Sequence, residues 1–243
     1  MAKEWVRERV WYHRIPLPNG PVTPGWAPME AAAYQLPERF DGLRILDVGA
    51  WDGYWTFEAL RRGAAEVVAI DNLSDPLNDL ALGGHGDRGA PRDWSTFDRC
   101  RDEFGYGWER CKRYRMDALD VNPEVPGGQF DIVFLFGVLY HCRHPLLLLD
   151  RLRRVCCGEI YVESAICDDY SPYRETGGLG DVTAMEFYPG AELGNMPTNW
   201  WAPTLRCLAQ MVRAAGWPEI NAWKLTDEPK NPSQARGFVK GSA

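Results

Sequence analysis

A glycine-containing turn between an apolar run and a helical pattern restricts the fold of this chain most. Residues 44–48 (Arg-Ile-Leu-Asp-Val) form a short apolar run, and Gly49-Ala50-Trp51-Asp52-Gly53 follows at once. Such a run is typical of a strand buried on both faces, as in a parallel sheet. A helical pattern covers 52–62, and residues 66–70 predict a second strand that ends at Asp71. Strand, helix and strand within about 30 residues predict a right-handed βαβ unit.

The same alternation continues to the end of the chain. Further strands are predicted at 111–116, 130–136, 158–165, 220–225 and 237–240, and further helices at 96–104 (capped by Ser95), 145–155 and 204–215. Alternating strands and helices favour the α/β class, here a doubly wound, mostly parallel, seven-stranded sheet of the Rossmann-like type.

We expect a single domain over 41–243, preceded by an N-terminal arm over 1–40. The arm is rich in proline and aromatic residues, which predict irregular structure. An insert over about 167–202 follows the fifth strand, and it also carries glycine, proline and tryptophan without clear periodicity. The 11 tryptophans of the chain would suit either a binding cavity or an aromatic core.

Charge and cysteine content exclude several classes of protein. A net charge of −7 offers no global basic field for a phosphate backbone, so a nucleic-acid partner is not expected. The seven cysteines include no C-x-x-C pair, which argues against a disulfide framework or a zinc site, and no metal is expected. The N-terminus has no signal-like apolar stretch, and no run is long enough to cross a bilayer. A cytoplasmic protein with reduced thiols and no membrane partner is expected.

Three aspartates follow three consecutive predicted strands, at the edge where such sheets bind ligands. Asp47 can receive an ammonium group, Asp71 the hydroxyls of a ribose, and Asp117 an adenine amino group. The glycines at 49 and 53 let the backbone pass close to a nucleoside, and free N–H groups at the next helix start can bind a carboxylate. The dinucleotide pattern G-x-G-x-x-G fails at Trp51 and Tyr54, so NAD is not expected.

The sequence resembles class I methyltransferases that use S-adenosylmethionine (SAM), within the branch that includes the tRNA wobble-uridine carboxymethyl transferases. The matching stretches are 46–54, 130–133 and Gly-Val-Leu-Tyr-His at 137–141, with Pro145. The resemblance implies the class's Rossmann-like fold and SAM as cofactor. The residues that it places against SAM are Asp47, Gly49, Ala50, Trp51, Gly53, Asp71, Asn72, Asp117, Ala118 and Gly137, with Tyr140 beside the transferred methyl.

Two departures from the family pattern bear on the acceptor. The class usually has glycine where Trp51 stands, so the floor of the pocket must be arranged differently. The tRNA enzymes carry a longer N-terminal region with a basic segment for a carboxylated cofactor, which the short arm does not match. We therefore expect O- or N-methylation of a small, flat metabolite. A tRNA-modifying methyl- or carboxymethyl transferase is the alternative. A third hypothesis is a protein that binds SAM or a nucleotide without transfer activity, or another Rossmann-type enzyme.

Several side chains could act on the acceptor. His141 is the first candidate for a general base, because its usual pKa lies near neutral pH; the alternative is that it bonds a backbone carbonyl and fixes a loop. Further catalytic candidates are Tyr140, His13, Glu186 and Tyr188, and the candidates for binding the acceptor, between arm and insert, are Tyr12, Trp26, Asn199 and Trp200.

Overall fold

The structure is a computed structural model that describes residues 4–7, 9–18, 20–27, 31–73, 93–174, 179 and 181–243. The chain forms two compact units, Met1–Asp117 and Ala118–Ala243, and each is described by itself. The predicted loop over 72–94 lies almost entirely outside the described residues. The expected division at residue 40 stays a prediction.

The first unit contains the predicted βαβ arrangement. Its strands pair in the order β3-β2-β1, all parallel, with Leu46 opposite Val68 and Ile70 opposite Tyr114. The carboxyl ends of the three strands therefore lie at one edge. The elements are α1 (Glu4–Arg7), β1 (Arg44–Val48), α2 (Tyr54–Arg61), β2 (Glu66–Asp71), α3 (Ser95–Phe104) and β3 (Cys111–Arg115).

Burial explains why these elements form. Ile45 and Leu46 of β1 are fully buried, as are residues 67–70 of β2, so both strands are covered on both faces as their sequence predicts. One detail of the prediction is wrong: Ser95 does not cap α3. The capping position is Trp94, and Ser95 instead donates its N–H to the Asp93 carboxylate (2.8 Å), which supports the first turn.

The second unit has four main strands in the order β4-β5-β9-β8. β4 and β5 are parallel, and β9 is antiparallel to both of its neighbours, β5 and β8. With three strands from the first unit, they make a mostly parallel seven-stranded sheet, so the predicted fold class is confirmed. The elements are β4 (Phe130–Phe136), α4 (Pro145–Val155), β5 (Cys156–Ala165), β6 (Met185–Phe187), β7 (Trp201–Pro203), α5 (Leu205–Ala214), β8 (Glu219–Lys224) and β9 (Arg236–Ser242).

The segment after β5 contains regular structure that its sequence does not predict. β6 and β7 pair antiparallel as a separate two-stranded sheet, with Glu186 opposite Ala202. Each strand has three residues, too few for an alternating pattern to stand out. Ala202 of β7 belongs to a buried cluster that includes Tyr140, Tyr188 and Leu193.

Candidate active site

The turn after β1 has the backbone geometry that a close approach to a ligand requires. Gly49 and Gly53 have φ of 73° and 91°, in the left-handed region that favours glycine. Trp51 shares this conformation with φ of 52°, which is strained for a side chain of its size. The backbone at position 51 thus has a conformation that favours glycine, although the residue there is tryptophan.

Asp47 lies buried at the end of β1. Its side chain accepts a hydrogen bond from the Thr56 hydroxyl (2.6 Å). Burial raises the pKa of Asp47 to about 6, although the Thr56 hydrogen bond and the positive charge of a protonated His13 both oppose this rise. A carboxylate held in such a place gains from a cationic ligand, which fits the ammonium group expected there.

Asp71 joins the end of β2 to the glycine turn. Its carboxylate accepts the Trp51 N–H (3.0 Å) and the Leu73 N–H (2.6 Å), one on each oxygen. A carboxylate has about four lone-pair sites in all, which makes it a suitable partner for hydroxyl groups. Asn72 donates to the Asp117 carboxylate (3.3 Å), which brings the ends of β2 and β3 together. The donor and acceptor set of the first unit therefore fits a nucleoside with an amino-acid tail.

The arm packs on this turn. The Tyr12 ring lies 4.6 Å from that of Trp51 and 4.9 Å from that of the exposed Trp26, measured between ring centroids. Asp52, which the sequence analysis did not single out, accepts the backbone N–H groups of Tyr12 and His13 (2.9 Å each) and contacts Nδ1 of His13. The structure thus places Tyr12 and His13 beside residues of the glycine turn, with Trp26 packed on Tyr12.

A buried ionic group lies at the end of β4 and β5 in the second unit. The Arg236 guanidinium pairs with Glu163 and lies 4.7 Å from the centre of the Tyr140 ring. Burial opposes the charge of Arg236, but Glu163 and Tyr140 outweigh this effect and raise its pKa. Gly137, with φ of 71°, donates its N–H to the backbone oxygen of Glu163 (3.2 Å). In the sequence, the feature that points to this ionic group is the acidic Glu163 within the largely apolar strand β5.

His141 has the contacts expected of a residue that fixes a loop, not those expected of a general base. Its Nδ1 lies 3.0 Å from the Thr198 carbonyl oxygen and 3.3 Å from the Thr198 hydroxyl. Burial lowers the pKa of His141 to about 4, so the ring is neutral near pH 7 and a weak base. His141 therefore fixes the loop that carries Thr198.

The remaining candidates of the insert brace one another. Tyr188 is fully buried and donates its hydroxyl to Glu186 (2.6 Å), which also accepts from Ser171 (2.6 Å) and Arg174 (2.8 Å). Burial would raise the pKa of Glu186, but these hydrogen bonds lower it. We call these contacts of Ser171, Arg174 and Tyr188 with Glu186 the Glu186 network. Within it, neither Tyr188 nor Glu186 is placed as an accessible acid or base.

The other predicted residues of the second unit have mainly structural contacts. The Asn199 amide donates to the Leu193 carbonyl (2.7 Å), while its own side-chain oxygen is buried with no partner among the described residues. The backbone N–H of Trp200 donates to the Tyr140 carbonyl oxygen (2.9 Å), and the Trp200 ring lies 4.0 Å from the Arg143 guanidinium. Ala118 begins a 3₁₀ turn (Ala118–Asp120).

Two negative findings apply to the described part of the chain. It contains no group of three or more His, Cys, Asp or Glu side chains that could hold a metal ion. None of its helices combines the length and the apolar character needed to span a membrane.

The profile of a family described as a methyltransferase domain matches residues 27–217, which include the glycine turn and most of the sheet. The chain belongs to this family. The prediction of a SAM-dependent methyltransferase is thereby confirmed at the level of the family.

Individual relatives agree with this assignment at lower similarity. A tRNA U34 carboxymethyltransferase of Chromohalobacter salexigens is 26% identical over 221 residues, 85% of this chain and 56% of that protein. The chain spans about half the length of the curated relatives that it matches. Among solved structures, the N-terminal domain of EvdMO1, crystallised in the presence of SAH and D-fucose, aligns with a TM-score of 0.63 and 16% identity over 98% of this chain and 94% of that one. A 1,6-didemethyltoxoflavin-N1-methyltransferase of Burkholderia thailandensis aligns with a TM-score of 0.51 and 15% identity, over 83% and 71%.

Proposed function

We propose that this chain binds SAM with its first unit and transfers the methyl group to a small-molecule acceptor. The observation that carries the proposal is the set of three aspartates, 47, 71 and 117, at the carboxyl ends of three neighbouring parallel strands around one glycine turn. In a doubly wound sheet this edge is where ligands bind. Asp47 would hold the ammonium group, Asp71 the ribose hydroxyls and Asp117 the adenine amino group.

Methyl transfer from a sulfonium depends mainly on the positioning of the two reacting atoms. When bound, SAM supplies a methyl group on a sulfonium, and displacement by an acceptor in line with the breaking bond needs no covalent intermediate on the protein. Holding the two reacting atoms in line can contribute up to roughly 7–11 kcal/mol. The rigid turn, braced by hydrogen bonds from Gly49 and Ala50 to the Ile70 carbonyl (2.8 and 3.2 Å), suits that task.

The character of the acceptor follows from charge and from aromatic side chains. The net charge of −7 disfavours a polyanion, and Tyr12, Trp26 and Trp51 offer aromatic surface to a flat O- or N-nucleophile. Structures of small-molecule enzymes among the neighbours support the same reading. Because several relatives are tRNA U34 carboxymethyltransferases, tRNA modification is the second candidate.

Calorimetry with SAM and with its demethylated product SAH tests the cofactor assignment. Asp71→Ala should weaken SAM binding by about 1–3 kcal/mol, or about 5- to 150-fold, the scale of lost hydrogen bonds to a charged group. Asp41→Ala, which removes an exposed aspartate shortly before β1, is the matched control and should leave the affinity unchanged. A folded protein that binds neither SAM nor SAH would refute the proposal.

A screen with methyl-labelled SAM then separates the two acceptor classes. Pools of hydroxylated and nitrogen heterocyclic metabolites should accept label, whereas unmodified tRNA should not. Labelling of tRNA at a rate above that of every metabolite pool would select the second candidate instead.

A further inference from the structure

A buried histidine–aspartate pair joins the arm to the glycine turn. Nδ1 of His13 contacts one oxygen of the Asp52 carboxylate, and both side chains are almost fully buried. The other oxygen of Asp52 accepts the backbone N–H groups of Tyr12 and His13, each at 2.9 Å. One carboxylate therefore fixes both the backbone of the arm and the ring of its histidine.

The arm is shaped to present this histidine. The His13 carbonyl accepts a hydrogen bond from the Thr23 hydroxyl (2.6 Å), and the Tyr12 carbonyl accepts from the Ala27 N–H (2.9 Å). A Cβ on Gly25 would lie 2.2 Å from the His13 carbonyl group, so only glycine allows the returning chain to pass this closely. These contacts hold His13 from both sides of the arm.

The contact with Asp52 also sets the tautomer of the ring. A carboxylate accepts hydrogen bonds, so Nδ1 must carry the proton and Nε2 keeps a lone pair when the ring is neutral. The charge of a protonated ring would be balanced by Asp52. This is the arrangement in which an imidazole can accept a proton from a bound molecule.

The pair lies beside the cofactor turn. Asp52 is part of that turn, the Tyr12 ring packs on Trp51, and the His13 and Tyr54 rings are 5.6 Å apart. Asp47, the carboxylate assigned to the ammonium group of SAM, lies within electrostatic reach of His13. The imidazole thus contacts Asp52, Tyr12 and Tyr54, and Asp47 is near enough to feel its charge.

We propose that His13 is the general base of the methyl transfer and that Asp52 is its positioning residue. The inference rests on the proposed function. A lone pair on the acceptor's oxygen or nitrogen forms the bond to the methyl carbon as the carbon–sulfur bond breaks, and that electron pair stays on sulfur. The proton of the acceptor moves to Nε2 of His13, whose charge Asp52 stabilises until the proton passes to solvent.

One oxygen of Asp52 holds the two backbone N–H groups, and the contact between its second oxygen and Nδ1 fixes the orientation of the His13 ring. His141, which is partly buried, uses Nδ1 on a backbone carbonyl and has no carboxylate partner among its described contacts.

The charge of the cofactor provides a test that needs no acceptor. The chain has four histidines, so NMR of ¹⁵N-histidine-labelled protein can follow His13, assigned by its loss in His13→Gln. SAM carries a positive sulfur that SAH lacks. The Nε2 chemical shift of His13 at a fixed pH should therefore differ between the SAM and the SAH complexes. The exposed His144 is the internal control, and its chemical shifts should be the same in both complexes.

Identical Nε2 chemical shifts of His13 in the two complexes would overturn the assignment while leaving SAM binding intact. Absence of binding would instead remove the proposed function. With an acceptor from the labelling screen, His13→Gln should lower kcat about 10²- to 10⁴-fold and abolish the lower limb of the pH profile, with the Kd of SAM changed less than about threefold. Asp52→Asn should also lower kcat, and His144→Gln should not. Unchanged kcat in folded His13→Gln would refute the role as base.

Discussion

The ionisation of Asp47 should control cofactor affinity in a pH range where most carboxylates are already charged. Its pKa is raised to about 6 by burial, so the free protein holds this group half protonated at that pH. An ammonium group binds the carboxylate form alone. We therefore expect the affinity for SAM to be constant above about pH 7 and to fall below about pH 6, approaching tenfold per pH unit.

Calorimetry with SAH, whose amino-acid tail is the same, measures this dependence without turnover. Asp47→Asn is the comparison, since its amide cannot titrate; it should bind weakly with no step between about pH 5 and 7. A wild-type affinity that is flat over this interval would show that Asp47 does not meet the ammonium group.

Residues next to the glycine turn could be identified from the sequence, whereas their partners from distant segments could not. Asp47 and Asp71 stand at the ends of recognisable strands, so their location follows from the fold. Asp52 acts on residues 39 and 40 positions earlier, and no local pattern encodes that contact. For Tyr188 and Glu186, residue type suggested chemistry, but their burial and mutual hydrogen bonds depend on tertiary packing.

The start of helix α2 depends on a glycine for two independent reasons. Gly53 has φ of 91°, and a Cβ there would lie 2.6 Å from the Phe57 ring and 2.7 Å from the Phe97 ring. Gly53→Ala should thus lower the free energy of unfolding by about 2–4 kcal/mol, through backbone strain and overpacking together. Urea denaturation measures the change.

Gly105, after α3, is the matched control because it shares the left-handed conformation (φ of 71°) but has nothing within 4 Å of an added Cβ. Gly105→Ala should cost about 1 kcal/mol, from the backbone alone. Similar losses in the two variants would mean that the Phe57 and Phe97 rings move away from the added Cβ without lowering the free energy of unfolding.

The Glu186 network should contribute to stability and little to cofactor binding. Tyr188→Phe removes a buried hydroxyl that donates to Glu186, and we expect a loss of about 1–2 kcal/mol in unfolding free energy with the Kd of SAM unchanged within about twofold. Tyr173→Phe, at a half-exposed tyrosine of the same segment, should change neither quantity measurably. A selective loss of SAM affinity in Tyr188→Phe would contradict this division.

Elements with a continuous apolar run were predictable, and elements fixed by tertiary pairing were not. β1, β2 and β4 are evident in the sequence because both faces are buried, and the bounds found for β4 are those expected. β6 and β7 are held by their three-residue pairing and by the buried cluster that includes Tyr188. Such tertiary contacts produce no periodic pattern in the sequence.

For the whole molecule, the negative charge predicts weak association with nucleic acid. Filter binding with unmodified tRNA should show no saturable retention at about 50 mM salt, where phosphate contacts are strongest. Saturable binding that weakens steeply as salt rises would reveal a local basic surface and favour the tRNA candidate. A lysine-rich protein of similar size serves as the positive control for retention.

The tie between Asp52 and the arm also affects how such proteins should be compared. The family match begins at residue 27, so a comparison restricted to it keeps Asp52 and omits Tyr12 and His13, which Asp52 binds. Groupings drawn from the matched region alone would sort proteins by the residues of the glycine turn. Adding Tyr12, His13 and Asp52 as a joint criterion would also sort them by the proposed base and its partner, so that the proposed reaction type could be traced across genomes.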